Sequence, residues 1–115
     1  MGAFVISKRF NDEYKFVFSS RKGKTIFTSV GYELKFECKD DIERFKSNID
    51  KAAFAKFKSS TGKYFFKIIL DEVHFATSRK YTTELRLKKG MDEITKYASK
   101  SEILDFSGNI IFEDM

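Results

Sequence analysis

The sequence predicts an α+β fold made of two tandem copies of a β-β-β-α unit, each followed by a closing strand. Three observations lead to this prediction. The chain matches itself at an offset of about fifty residues, each half contains segments with strand periodicity, and each half then changes to helical periodicity. We place the two copies at about residues 1–52 and 53–115 of a single domain.

The internal match is carried mainly by the apolar pattern, with few identical residues. Four pairs of segments align in order: Ala3–Phe10 with Ala53–Ser60, Glu13–Phe18 with Lys63–Ile68, Ile26–Tyr32 with Phe75–Tyr81, and Cys38–Ile49 with Leu87–Ala98. The third pair shares the pattern Thr-Ser-x-x-Tyr. A match of this length with a single gap favours duplication.

Alternating aromatic and aliphatic residues predict the strands. The alternating sets are Tyr14, Phe16 and Phe18 in the first copy, and Tyr64, Phe66, Ile68 and Leu70 in the second. Period-2 spacing places each set on one face of a strand. Short links that contain turn residues join the strands: Asn11-Asp12, Arg21-Lys22-Gly23, Thr61-Gly62 and Asp71-Glu72. Such links favour antiparallel hairpins.

After each Thr-Ser-x-x-Tyr the apolar spacing becomes helical. The two stripes are Cys38, Ile42, Phe45 and Ile49, and Leu87, Met91, Ile94 and Ala98. Each stripe gives one apolar face of an amphipathic helix, which we expect to pack on the sheet.

The segments after the helices complete the predicted sheet. Ile103–Phe106 follows the second helix as Phe54–Phe57 follows the first, and Asn109–Phe112 extends the tail as a further strand. We therefore expect one antiparallel sheet of roughly eight strands with both helices on one face. The terminal strand is expected to return and complete the other unit.

These elements resemble the YegP-like family of small uncharacterised bacterial proteins. The resemblance covers nearly the whole chain and is carried by Tyr14–Phe18, Tyr64–Ile68, Thr28-Ser29, Thr77-Ser78, Tyr32, Tyr81 and Gly90-Met91. The first copy departs from the family pattern, because Asp41-Ile42 stands where Gly-Ile is usual and bulky Leu34 and Phe36 open the helix. The resemblance implies a joined sheet with exchanged C-terminal strands and no established activity.

Composition indicates a globular, mildly basic protein. The chain has 14 Phe, 5 Tyr and no Pro, and its net charge is +5. Basic residues exceed acidic ones in both halves without a polybasic run, so we expect a mixed, solvated surface. No apolar run is long enough for a membrane span, so no membrane partner is expected. A single cysteine, Cys38, favours a reducing, cytoplasmic location.

The residues for catalysis, cofactor binding or metal binding are sparse. Cys38 and His74 are the only residues of their types, and neither has a partner at metal-ligand spacing. A Cys-His nucleophile pair would have to bridge the two copies. No glycine-rich phosphate loop is present. We therefore predict no catalytic, cofactor or metal site and no enzyme activity.

The candidate functional surface is the face of the sheet opposite the helices. We predict that it carries Lys15, Val17, Phe65, Lys67 and Ile69. An apolar patch there favours a protein partner or self-association. Two alternatives stay open. One is weak, sequence-independent nucleic-acid binding, with Lys56 and Lys58 near this face. The other is a small-molecule enzyme with a site between the copies.

Overall fold

The computed structural model describes residues 2–108, which form seven strands and two helices. The elements are β1 (Ala3–Lys8), β2 (Tyr14–Ser19), β3 (Thr25–Ser29), α1 (Lys35–Ser47), β4 (Ala53–Lys58), β5 (Tyr64–Leu70), β6 (Val73–Ser78), α2 (Glu84–Tyr97) and β7 (Glu102–Asp105). A short 3-10 turn follows each helix, at Ile49–Lys51 and at Ala98–Lys100. This α+β arrangement agrees with the prediction.

The sheet consists of two antiparallel three-stranded meanders joined at its centre. The strand order is β4-β5-β6-β3-β2-β1-β7. The third strands of the two halves, β3 and β6, pair antiparallel, with Thr28 opposite Thr77. Each half therefore contributes three consecutive strands, and the two halves share one continuous sheet.

The prediction of a wholly antiparallel sheet is wrong for the last closing strand, β7. β7 pairs parallel with β1, with Phe4 opposite Ile103, so the sheet is mixed. The prediction rested on hairpin links, which impose antiparallel pairing, whereas β7 reaches its neighbour by a long connection through α2 and can run in either direction. β4 pairs antiparallel with β5 and forms the other edge. The predicted strand at Asn109–Phe112 lies outside the described residues.

Both helices pack on the same face of the sheet and close one hydrophobic core. The buried helix residues are Cys38, Ile42 and Phe45 on α1 and Leu87, Gly90 and Ile94 on α2. They meet the inward side chains of the strands, among which Phe4, Phe16, Phe18, Phe27 and Phe66 are fully buried. The predicted helical stripes are confirmed, except that Ile49 and Met91 are only partly buried. Ile49 and Ala98 lie in the 3-10 turns that follow the helices.

The Thr-Ser-x-x-Tyr pattern has a clear structural role in both halves. The Ser29 hydroxyl accepts a hydrogen bond from the Phe16 amide at 3.0 Å and donates to the Val30 carbonyl. Ser78 makes the same pair of bonds with Phe66 and Arg79. These serines complete the hydrogen bonding of the sheet where β3 and β6 end, which explains a polar residue in a buried position.

Candidate functional site

A cavity of about 280 Å³ lies between the β2–β3 turn and helix α2. Its lining comes from three segments: Ser20, Lys24 and Ile26 around the turn, Arg79, Lys80, Tyr81 and Thr82 after β6, and Arg86, Lys89, Gly90 and Glu93 on α2. The cavity is therefore built by both halves of the chain.

A second cavity of about 360 Å³ continues the first along α2. The two share Ser20, Lys24 and Glu93, and together they form one open groove. Seven basic side chains and one carboxylate line it: Arg21, Lys22, Lys24, Arg79, Lys80, Arg86 and Lys89, against Glu93. We call this feature the basic groove. Such a concentration of one charge in a concave surface attracts anions.

Tyr81 and Gly90 shape one wall of the basic groove. The Tyr81 ring stacks on Phe66 with the ring centroids 6.5 Å apart, and its backbone pairs with Tyr64. Gly90 lets the Tyr81 phenol lie against α2, because a Cβ at this position would come within 2.8 Å of the ring carbon Cζ. Burial raises the pKa of Tyr81, and the nearby Arg79 opposes that rise. The hydroxyl is therefore neutral at physiological pH.

The first turns of α2 present two of the cations. Thr83 caps the helix, and its side-chain oxygen accepts a hydrogen bond from the Arg86 amide at 3.1 Å. Arg86 and Lys89 are three residues apart, so both side chains project from the same helix face. Both are exposed. Lys88 is not among the lining residues and pairs with Asp92 at 3.4 Å.

The first half of the chain contains a matching site of opposite charge. A shallow depression of about 440 Å³ is lined by Gly31, Tyr32, Glu33, Phe36, Glu37, Asp40 and Asp41. In the internal alignment Glu37 corresponds to Arg86 and Asp40 to Lys89. We call the surface formed by Glu33, Glu37, Asp40 and Asp41 the acidic face.

In the acidic face Asp41 occupies the position that Gly90 has in the second half, and it contacts the tyrosine by a hydrogen bond instead of by close packing. Its Oδ2 accepts a hydrogen bond from the Tyr32 hydroxyl at 2.7 Å, and its Oδ1 pairs with Arg44 at 3.2 Å. Arg44 also pairs with Asp71 in the β5–β6 turn. Burial and the contact with Asp41 raise the pKa of Tyr32 well above its usual range. This network ties α1 to the second half of the chain.

The five predicted residues of the open face all lie on the sheet surface opposite the helices. Their strand registers place Lys15 and Val17 on β2, and Phe65, Lys67 and Ile69 on β5, with β3 and β6 between them. A register row crosses the whole surface: Leu104, Val5, Val17, Thr28, Thr77, Lys67 and Ala55. The five residues therefore share a face but form two separate groups.

An exposed aromatic residue also lies on this face, at Phe57 on the edge strand β4. It is 42% exposed and stacks on Phe65 at 5.4 Å, with the Lys67 ammonium 5.3 Å from its ring centre. Phe57 was not among the residues predicted for the candidate surface. Its period-2 relation to Ala53 and Ala55 was the signal that could have placed it there.

Two lysines that were expected near the open face belong to the other side. Lys56 lies opposite Phe66 and Lys58 opposite Tyr64, which are inward-facing residues, so both lysines point to the helix side at the edge of the sheet. Lys56 occupies the position that the fully buried Ile6 has on β1. A charged residue there protects an open edge from pairing with another strand.

Cys38 and His74 lie on opposite faces of the sheet. Cys38 is fully buried in the core, and burial raises the pKa of its thiol to about 12. His74 pairs in register with Ile69 on the open face, and its Nε2 lies 2.9 Å from the Thr77 hydroxyl. The structure therefore does not bring the two together. Within residues 2–108 no group of three or more His, Cys, Asp or Glu is arranged to hold a metal ion.

The basic groove was not predictable as a site from the sequence, because its charges are dispersed along the chain. They occur as short groups at Arg21–Lys24, Arg79-Lys80 and Arg86–Lys89, which are far apart in sequence. The first of these lies in a hairpin turn and the others flank the start of α2. One sequence signal for the groove was available. When the two halves are aligned, Arg86 and Lys89 occupy the positions of Glu37 and Asp40, so the charge is reversed.

Comparison with known proteins agrees with the architecture. No protein-family model matches the chain. A UPF0339 protein of Acinetobacter baylyi is 24% identical over 109 residues, which cover 93% of this chain and 98% of that protein. This relative supports the resemblance to the YegP-like family.

Two solved structures establish the fold. The E. coli protein of unknown function YegP, determined by solution NMR, superposes with a TM-score of 0.80 at 22% identity, over 93% of this chain and 94% of YegP. A UPF0339 protein of Shewanella oneidensis superposes with a TM-score of 0.79 at 23% identity, over 92% of each chain. The chain has the YegP fold. Neither helix in the described part has the length and apolar character needed to cross a bilayer.

Proposed function

We propose that this protein is a non-enzymatic binding module whose basic groove holds the backbone of single-stranded nucleic acid. The observation that carries the proposal is the charge of the groove, where seven basic side chains face one carboxylate. Phosphate contacts by lysine and arginine supply most of the affinity of non-specific nucleic-acid binding. The groove is therefore suited to a polyanion.

The shape of the groove favours a single strand over a small enclosed ligand. Its two adjacent cavities, of about 280 and 360 Å³, share Ser20, Lys24 and Glu93 in their linings, so an extended chain can lie across both. A small-molecule site is usually a more closed pocket. The half-buried Tyr97 ring at one end offers a surface on which a base can stack.

The lining residues support binding without sequence preference. Arginine and lysine dominate them, and among residues 2–108 no asparagine or glutamine lines either cavity. Within that range the groove therefore lacks the amide side chains that read adenine edges. This matches the nucleic-acid alternative of the sequence analysis, with a different set of residues.

Anisotropy titration of a labelled oligo-dT tests the proposal. We expect binding at about 50 mM salt that weakens steeply as salt is raised. The variant Arg86→Gln/Lys89→Gln should bind at least about tenfold more weakly, and its salt slope should fall by about 1 to 2. Lys88→Gln is the matched control, because Lys88 lies on the same helix outside the groove. Absence of binding at low salt, or equal losses in both variants, would contradict the proposal.

The open face supports a second candidate, a protein partner or self-association through the apolar sheet surface. The exposed pair of Phe57 and Phe65 favours it. Phe65→Lys should then abolish concentration-dependent association in light scattering. A variant that still associates would contradict this candidate.

We also infer that the chain is a tandem duplication with exchanged closing strands and a member of the YegP-like family. The support is the repeated hydrogen bonding of Ser29 and Ser78 and the pairing of β7, which follows α2, with β1 in the other half. The buried thiol of Cys38 favours a reducing compartment such as the cytoplasm.

A further inference from the structure

We propose that copies of this chain associate head to tail, with the acidic face of one copy occupying the basic groove of the next. The inference rests on the same groove as the proposed function. It adds an occupant, a second copy, whose acidic helix face competes with nucleic acid for the cations.

The first support is the charge reversal between the two sites. Glu37 and Asp40 on α1 are three residues apart, as are Arg86 and Lys89 on α2, and the two pairs occupy aligned positions near the start of each helix. All four side chains are exposed. The acidic pair of one copy therefore has the spacing needed to meet the basic pair of another, and complementary potentials both orient and accelerate such an encounter.

The turns beside the two helices carry the same reversal. Arg21 and Lys22 lie in the β2–β3 turn and line the basic groove, whereas Asp71 and Glu72 form the β5–β6 turn. Asp71 is connected to the acidic face through Arg44. The molecule thus has one basic region and one acidic region, each made by a helix and a hairpin turn from the other half of the chain.

An exposed aromatic side chain accompanies the charges of the acidic face. Phe36 lines the same depression and is 62% exposed. Leu85, at the aligned position on α2, is 65% exposed and precedes Arg86, although it does not line the groove. Contact between Phe36 of one copy and Leu85 of the next would add a non-electrostatic contribution.

The two surfaces differ, so the contact is heterologous. It leaves a free groove at one end and a free acidic face at the other, and association continues into chains or rings instead of stopping at a symmetric dimer. Because the charges are exposed, the contact should be weak and sensitive to salt.

Two neutralised variants separate the two surfaces. Arg86→Gln/Lys89→Gln removes charge from the basic groove, and Glu37→Gln/Asp40→Asn removes it from the acidic face. In sedimentation velocity at low salt, the unmodified chain should grow in mass with concentration and return to monomer at about 1 M salt, where screening is nearly complete. Each variant alone should stay monomeric. An equal mixture should form a dimer of twice the monomer mass and grow no further.

The controls are Lys88→Gln and Glu43→Gln, on α2 and α1 outside the two surfaces, and both should associate as the unmodified chain does. A chain that is monomeric at low salt, a mixture that stays monomeric, or variants that still associate would each overturn the proposal. Oligo-dT binding by Glu37→Gln/Asp40→Asn with a monomeric mixture would leave the proposed function standing alone. A dimeric mixture with no oligo-dT binding would leave the self-association standing alone.

Discussion

The regions around Tyr32 and Tyr81 have the same backbone arrangement and opposite charge. Each tyrosine forms a backbone bridge to the first residue of the middle strand of its meander, Tyr14 on β2 or Tyr64 on β5. Each also stacks on a buried phenylalanine, with ring centroids 6.3 Å apart at Phe16 and 6.5 Å apart at Phe66. The rims differ, with carboxylates in the first half and lysine and arginine in the second. The shared part holds the fold, and the exposed rim is free to vary because surface charges contribute little to stability.

The interiors of the two halves also differ in volume at aligned positions. Phe27 on β3 is fully buried and packs against Phe18 at 5.6 Å, whereas the aligned residue on β6 is the fully buried Ala76. On the helices Asp41 aligns with Gly90. In the first half Tyr32 contacts the helix through a hydrogen bond to Asp41, and in the second half Tyr81 packs closely against Gly90.

The largest expected effect comes from adding a side chain at Gly90, where helix α2 lies against Tyr81. Gly90→Ala places a Cβ against the Tyr81 phenol, which must move, and we expect a loss of about 1–3 kcal/mol in the free energy of unfolding. Urea denaturation measures it. In Gly90→Ala/Tyr81→Phe the nearest atom is removed, so part of the loss should be recovered. Unchanged stability in Gly90→Ala would show that the close approach is not needed.

The variant Tyr32→Phe tests the hydrogen bond that joins Tyr32 to helix α1 in the first half. Loss of the bond to Asp41 should cost about 1 kcal/mol at neutral pH. The folded-state pKa of Tyr32 lies above its unfolded value, so its contribution is complete below about pH 10 and declines as the pH rises further, when the unfolded state loses its proton first. Denaturation at about pH 7 and pH 11 should therefore show a smaller alkaline decline in Tyr32→Phe than in the unmodified chain. Equal declines in the two proteins would rule out this coupling.

The smallest expected effect lies in the turns beside the two sites. The β5–β6 turn has Asp71 and Glu72 at positive φ angles of 53° and 65°, where the β2–β3 turn uses Gly23 at 85°. Glu72→Gly should stabilise the protein by about 0.5–1 kcal/mol, because glycine takes a left-handed conformation without steric strain. Thermal unfolding measures it, and Gly23→Ala should shift the midpoint in the opposite direction. A destabilised Glu72→Gly would contradict the strain argument.

The elements of the fold were predictable because their signals are local. Alternation at Tyr14–Phe18 and Tyr64–Ile68 gave the strands, and the spacing of Cys38, Ile42 and Phe45 gave the helix that buries them. Strand register follows from the same alternation, which is why Lys15, Val17, Phe65, Lys67 and Ile69 were placed on one face.

The direction of β7 was not predictable from such signals, because a strand that follows a helix can enter the sheet edge either way. The facing of Lys56 and Lys58 was also misjudged. They were expected near the open face, but the register of β4 with β5 turns them to the helix side.

The sequence by itself determined the order of strands and helices, the inward residues and the resemblance of the two halves, since hydrophobic periodicity is a property of neighbouring residues. Only the tertiary structure decided where the charges meet. A basic hairpin turn lies beside the basic groove on α2, and an acidic turn is tied to the acidic face of α1, although both helices carry mixed charge. Electrostatic potential depends on distances in space, and folding brings together charges that the chain keeps far apart.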